Sequence, residues 1–324
     1  MSSNRSSQDL SSIKHATALV NPVSSSNKRG QRRLRRLEEA SPFKISTVYT
    51  SENEEATKET IRESLEGSDL LLVISGDGTF NTVVRTIISN SLSEGAKLTP
   101  IWSLGGGNAE DGTKASHTKL SRALPDNALS KGRIVHTNPI RFDVTHPDGE
   151  KLTYPAAFYA TLGASALLAS KDYLSSERYR NSLLAKYSLT RSLSELPISL
   201  YGLMSASQSS IATDNLSEDF FDAGYINSHI MAKHLRFPTN LTKPEIFHYV
   251  IPNRQKLARY IAHGLIDGKP DGEYLRPGDF HNFSTERLTI AQFDGEAETI
   301  PAGSQVSVSI HDQPLRVVVT RPGL

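Results

Sequence analysis

Three short turns and one late tripeptide hold the residues of this sequence best suited to chemistry. Gly76-Asp77-Gly78-Thr79 stands where an apolar run, Asp69–Ser75, gives way to a helical pattern in which Phe80, Val83, Val84, Ile87 and Ile88 share one face. Glycines let a backbone approach a ligand closely, and the unpaired N–H groups of a helix start favour phosphate. Asp77 in such a turn could position a metal or accept a proton, and it could equally cap the helix. Asn21-Pro22-Val23-Ser24-Ser25 and Gly105-Gly106-Gly107-Asn108 end two further strand-like runs. Asp294-Gly295-Glu296 adds two carboxylates near the C-terminus, although Asp-Gly is also an ordinary hairpin signal. Neither glycine turn completes G-x-G-x-x-G, because Asn81 and Glu110 fill the third positions, and G-x-x-x-x-G-K-[ST] does not occur.

The elements that must position these turns are legible from periodicity. Ala16–Val20, Phe43–Tyr49, Asp69–Ser75 and Leu98–Leu104 read as strands, alternating with helices over Lys28–Glu39, between Ser51 and Gly67, and after Thr79. Ser51 and Glu54 have capping-box spacing, and Gly67 supplies the stop. This strand–helix order predicts a parallel sheet covered by helices, with the three turns leaving the sheet edge where ligands of open α/β folds bind. Beyond about residue 131, Ile140–Thr145, Tyr154–Thr161, Glu245–Ile251, Arg287–Phe293, Gln305–Ile310 and Leu315–Thr320 read as strands between Pro, Gly, Asp and Asn turns.

The expected organisation is therefore a disordered tail (1–14), a nucleotide-binding α/β domain (15–130) and a β-rich antiparallel domain (131–324) carrying a helical insertion at 167–204. Whether the C-terminal strands stay in the second domain or return to the first is left open. At 324 residues the chain has room for two cores. With 36 basic against 35 acidic residues it is not a strongly basic nucleic-acid binder. It has no cysteine, which excludes disulfides, thiolate metal sites and a cysteine nucleophile. No apolar run approaches the ~20 residues that span a bilayer, so a soluble, cytoplasmic protein is expected. Near-neutrality hides one concentration of charge, Lys28, Arg29, Arg32, Arg33, Arg35 and Arg36, read either as a solvated helix face or as an attraction to anionic head groups. His229 and His234 lack any third ligand at metal-binding spacing and read as structural.

The ordered set Asn21-Pro22, Gly76-Asp77-Gly78-Thr79-Phe80-Asn81, Gly105-Gly106-Gly107-Asn108 and Asp294-Gly295-Glu296 resembles the diacylglycerol kinase catalytic-domain family, which includes bacterial lipid kinases, sphingosine kinases and ceramide kinase. The resemblance spans residues 15–320 and implies an active site in the cleft between the two domains. It implies nucleotide contacts from Asn21, Pro22, Ser24, Ser25 and Thr50, from Gly76, Asp77, Gly78, Thr79 and Asn81, and from Gly105, Gly106, Gly107 and Asn108. It also implies that Asp294 and Glu296 supply the carboxylate base, with Asp77 as a further catalytic carboxylate. ATP and Mg²⁺ are the cofactors it implies; it names no metal ligand.

Departures from the family pattern are specific. Ser25 and Gly106 stand where the family has glycine and threonine, Thr82 where it has glutamate, and Ala109 where it has aspartate. The stretch Leu235–Ile251 lacks the aspartates of the family's structural magnesium site, and Ala160–Ser165 echoes the second-domain signature only loosely. The expected function is ATP-dependent transfer of the γ-phosphoryl group to a hydroxyl of a diacylglycerol- or sphingoid-type lipid. The lipid would be met at a membrane surface, without nucleic acid, and homo-oligomerisation is left open. The alternative is a catalytically impaired nucleotide- or lipid-binding homologue with a regulatory role. A soluble-substrate kinase of the NAD kinase type shares the Gly-Asp-Gly turn but not the late Asp-Gly-Glu.

Overall fold

Leu70–Ile74 contains no polar residue and is wholly buried, as a strand covered on both faces must be. It sits near the centre of the sheet that carries the glycine turns. The computed structural model describes residues 8–24, 27–91, 98–105, 129, 132–169, 209–213, 216–227, 230–231, 235–236, 246–259, 275–277 and 282–319.

Along the chain, β1 (Gln8–Asp9), β2 (His15–Val20), α1 (Asn27–Ala40), β3 (Lys44–Tyr49), α2 (Glu54–Glu66), β4 (Leu70–Ile74), α3 (Asp77–Ser91), β5 (Ile101–Ser103) and β6 (Arg133–Thr137) build the first unit. Strands β2, β3, β4 and β5 run parallel, so all the turns after them emerge at one edge. Leu34 and Leu37 of α1 pack on one sheet face with Ala16, Ala18, Leu72 and Trp102. Ile61 and Leu65 of α2, with Val83, Val84, Ile87 and Ile88 of α3, pack on the other with Leu19, Leu71 and Val73. The expected parallel sheet is thus present. Asn53, rather than Ser51, caps α2: its side chain accepts from Ala56 N–H, while the Ser51 hydroxyl accepts from Asn53 N–H.

The second unit contains β7 (Ile140–Thr145), β8 (Lys151–Ala156), β9 (Tyr159–Gly163), α4 (Ala164–Ala169), β10 (Ser209–Thr213), β11 (Leu216–Phe220), β12 (Asp222–Ile226), β13 (Ile230–Met231), β14 (Leu235–Arg236), β15 (Phe247–Ile251), β16 (Leu275–Pro277), β17 (Asn282–Thr285), β18 (Thr289–Phe293), β19 (Glu296–Ile300) and β20 (Gln305–Ile310). Two six-stranded antiparallel sheets, β11-β10-β17-β20-β7-β8 and β16-β15-β12-β9-β18-β19, enclose a common core of Phe142, Val144, Leu162, Phe283, Phe293 and Val306. The β-rich second part is as expected. The helical insertion lies outside the described residues beyond Ala169.

Three features refine the sequence reading, and the second answers a question it left open. Residues 8–12 are not a loose tail: β1 pairs antiparallel with β6, and Leu10 is buried in the first core. The last strand, β21 (Leu315–Val319), returns to the first sheet between β5 and β6, so the sheet order is β1-β6-β21-β5-β4-β2-β3. The chain therefore passes to the second unit at Asn138–Pro139, beyond the expected seam at 130. Finally, the run Tyr154–Thr161 is broken at Ala157–Phe158, which separates β8 from β9.

Helix α1 approaches the sheet edge only because residue 30 is glycine. A Cβ there would stand 2.6 Å from the Gly105 carbonyl oxygen and clash with Cγ2 of Ile74. Gly→Ala inside a helix ordinarily stabilises by up to ~1 kcal/mol. At Gly30 we expect the opposite sign, a loss of ~1–3 kcal/mol from overpacking, in urea unfolding of Gly30→Ala. A stabilised variant would contradict this packing.

Candidate active site

The turns after β2 and β4 are fastened to one another. Asn21 N–H donates to the Ile74 carbonyl at 2.9 Å, and Asn21 Nδ2 donates to the Thr79 hydroxyl at 2.7 Å. The Ser24 hydroxyl accepts from Gly76 N–H at 3.0 Å, and Thr50 N–H donates to the Val20 carbonyl at 3.0 Å. Asn21, Ser24, Thr50, Gly76, Gly78 and Thr79 are thereby brought to one sheet edge with Pro22 between them. Helix α3 starts there, and its first intrahelical bond is Phe80 N–H to the Gly76 carbonyl. The N–H groups before it have no helical acceptor. Gly105, at φ 75°, begins the neighbouring turn after β5. Ser25, Gly106, Gly107, Asn108 and Ala109 lie outside the described residues, as does the side chain of Asp77.

The late tripeptide reaches this edge from the second unit. Asp294 and Gly295 both have positive φ, 49° and 98°, and form a two-residue hairpin turn in which Phe293 pairs with Glu296. The hairpin reading of Asp-Gly and its chemical reading are therefore compatible, since the turn carries Glu296 to α3. Asn81 is fully buried, and its Nδ2 donates to the Phe293 carbonyl at 3.1 Å and to Glu296 Oε2 at 2.9 Å. The other carboxylate oxygen, Oε1, lies 3.8 Å from where a Cβ on Gly78 would stand, so it faces the glycine turn.

The two late carboxylates do different work. Asp294 is buried, and its Oδ1 accepts from Phe158 and Tyr159 N–H, each at 3.0 Å, while Oδ2 accepts from Ala157 N–H. These are the amides freed by the break between β8 and β9. Burial pushes Asp294 up to about 7, against the pull of the three N–H donors and of Arg85. With every bond directed at the backbone, Asp294 positions the turn. Glu296 keeps an oxygen directed at the sheet edge. Burial raises it above its ordinary value, while Arg85 and Asn81 draw it back.

Arg85 was not among the residues singled out from sequence. Its Nη1 lies 3.2 Å from Glu296 Oε2, and its guanidinium sits 5.8 Å from the Tyr154 ring centroid. Tyr154 in turn stacks on Phe293 at 4.7 Å, so Arg85 braces the same hairpin that bears Glu296. The available signal was its i, i+4 spacing from Asn81, which puts both on one side of α3. Phe80 and Phe158, stacked at 5.4 Å, close the contact between the units.

Thr82, where the family pattern has glutamate, donates to the Gly78 carbonyl at 3.3 Å. Glu296 thus brings one carboxylate oxygen, Oε1, to the glycine turn. Mg²⁺ that arrives with a nucleotide keeps most of its ligands on phosphates and water, so it asks little of the described side chains at this edge. His146, Asp148 and Glu150 also cluster, but in the β7–β8 turn, where the Asp148 carboxylate is engaged by Glu150 N–H and His146 pairs with Glu150 at 3.2 Å.

Residues 15–142 match the family model of the diacylglycerol kinase catalytic domain. The resemblance drawn from the turns after β2, β4 and β5 falls within that match, and Asp294-Gly295-Glu296 lies beyond it. No curated protein matches the chain. Among solved structures, a candidate diacylglycerol kinase from Bacillus anthracis str. Sterne aligns at 13% identity with TM-score 0.64, over 97% of this chain and 99% of that one. A second structure, of a diacylglycerol kinase from the same organism, aligns at 12% identity and TM-score 0.62, over 95% and 98% of the two chains. At that identity the likeness is one of fold, and it covers both units, including the part beyond the family match.

Replacing Asp294 by Asn keeps a residue that tolerates positive φ but turns one acceptor oxygen into a donor facing a backbone N–H. We expect a loss of ~2–4 kcal/mol in unfolding free energy from the unsatisfied amides. Unchanged stability would show that the three bonds do not hold the turn.

Proposed function

We propose that the chain is an ATP-dependent lipid kinase, transferring the γ-phosphoryl group to a hydroxyl of a diacylglycerol- or sphingoid-type acceptor. The observation that carries this reading is the bond between Glu296, from the late hairpin, and Asn81, on the helix that begins at the glycine turn. Phosphoryl transfer needs a held triphosphate and a carboxylate near the attacking alcohol, contributed here from two units. In this reading the helix-start N–H groups at Gly78 and Thr79 receive phosphate oxygens, with Asn21 and Ser24 fixing the turn that presents them. Asp77, Thr50 and the Gly105-Gly106-Gly107-Asn108 turn complete the nucleotide contacts. Magnesium, when bound with the nucleotide, neutralises the triphosphate's charge.

Glu296 Oε1 accepts the proton of the acceptor hydroxyl as its oxygen bonds to the γ-phosphorus and the bond to the ADP oxygen breaks. Arg85 and Asn81 hold Oε2, leaving Oε1 as the basic atom. We expect Glu296→Gln to lower kcat by ~10²–10⁴-fold in transfer from labelled ATP to a lipid panel, with nucleotide affinity retained. Undiminished turnover would remove Glu296 as the base. Turnover by neither the native protein nor the variant, with nucleotide still bound in calorimetry, would favour the impaired regulatory homologue to which Thr82 points.

Burial holds the Glu296 carboxyl above the ordinary glutamate range, and this sets the direction of a pH effect. A base must be deprotonated, so kcat/KM should fall as pH drops through a value above the ordinary glutamate range. Arg85 lowers that value. Arg85→Gln should therefore move the acid limb to higher pH, whereas a purely structural role would lower the rate and leave the limb in place.

A further inference from the structure

We infer that Asn227 is a positioning residue for Glu296, fastening the hairpin that carries this carboxylate to the point where the chain passes between the units. The chain crosses at Asn138–Pro139 and returns through His311, and the two crossings lie side by side. His311 N–H donates to the Pro139 carbonyl at 2.8 Å, and Asn138 Nδ2 donates to the His311 carbonyl at 3.0 Å. Asn227, buried directly after β12, reaches this point: its Nδ2 donates to the Asn138 carbonyl.

The same residue reaches the bend between β8 and β9. Nδ2 also lies 3.5 Å from the Ala157 carbonyl, and Asn227 N–H donates to the Phe158 carbonyl at 2.8 Å. Asp294 takes the N–H groups of Ala157, Phe158 and Tyr159, and its own N–H donates to the Tyr159 carbonyl at 3.1 Å. Asn227 and Asp294 together therefore engage all six backbone polar groups of Ala157–Tyr159. Asn227 faces the crossing; Asp294 begins the turn that bears Glu296.

Ending a strand requires only backbone bonds, so β12 itself has no need of a buried side-chain amide there. Burying one costs free energy unless its donors are used, and the two carbonyls that use them come from different places in the chain. Asn138 is where the first unit ends, and Ala157 belongs to the second. The hairpin is thus tied to the first unit twice: at Asn81 on α3, and through the bend and Asn227 at Asn138. A body held at one point can swing. Held at two, it keeps its orientation, and a misplacement of ~1 Å at a reacting group can cost ~10²-fold in rate.

The purpose of this tie rests on the lipid-kinase reading, whereas the tie itself is measured without turnover. In Asn227→Ala, the amides of Ala157, Phe158 and Tyr159 and of the Phe293–Glu296 turn should exchange with deuterium about tenfold faster. Amides of β2 and β4 should exchange as in the native protein. The milder variant Asn138→Ala, which loses the bond to the His311 carbonyl, should loosen the same amides by a smaller factor, and it decides the matter if Asn227→Ala does not fold. In turnover, Asn227→Ala should lower kcat ~10–100-fold and leave KM for ATP within about twofold. In a Glu296→Gln background that loss should vanish, because the residue being positioned no longer acts as a base. A loss of equal size in both backgrounds, or unchanged exchange at the bend and turn, would overturn the inference. If no acceptor is phosphorylated but the exchange result holds, the kinase reading fails while the tie between crossing and hairpin stands.

Discussion

Asn81 holds the two units of this protein together at the point where chemistry can occur. It sits one turn into the helix that starts at the glycine turn, and its single amide group bonds both to the backbone and to the carboxylate of the late hairpin. A buried amide of this kind admits no substitute of different hydrogen-bonding pattern, because each lost bond leaves a desolvated carbonyl or carboxylate. On the other side of the hairpin, Asp294 collects three amides from the bend between β8 and β9. The hairpin is therefore clamped from both directions, and the position of Glu296 follows from the clamps.

Arg85 adds an electrostatic element to that mechanical one. Burial alone would leave Glu296 protonated more readily than an ordinary glutamate. A guanidinium on one carboxylate oxygen restrains that rise without covering the other oxygen. Stacking on Tyr154, itself stacked on Phe293, ties the guanidinium to the same hairpin. Charge and packing thus serve one geometry.

Much of this was legible in the sequence where the signal is local. The apolar run of β4, the face of α3 and the Asp-Gly turn each follow from residues within one element. Long-range partners were not legible. Asp294 bonds to amides more than a hundred residues earlier, and backbone donors leave no signature in side-chain identity. The break at Ala157–Phe158 was hidden in an apolar stretch that reads as one strand. Likewise Gln8–Asp9 is too short and polar to signal a strand, and only the open edge of β6 makes it one. By sequence Arg85 is indistinguishable from a solvated helix residue, because its partner Glu296 comes from the other unit.

The return of β21 to the first sheet also bears on how the protein is made. Because β21 lies between β5 and β6, a strand synthesised after the second unit completes the middle of the first sheet. A nascent chain that stops at the end of the matched family segment would present the flanks of β5 and β6 as open edges, the kind that pair with other chains. The first unit is thus contiguous in space but not in synthesis. A piece that reaches β21, rather than the N-terminal portion alone, is needed to close that sheet.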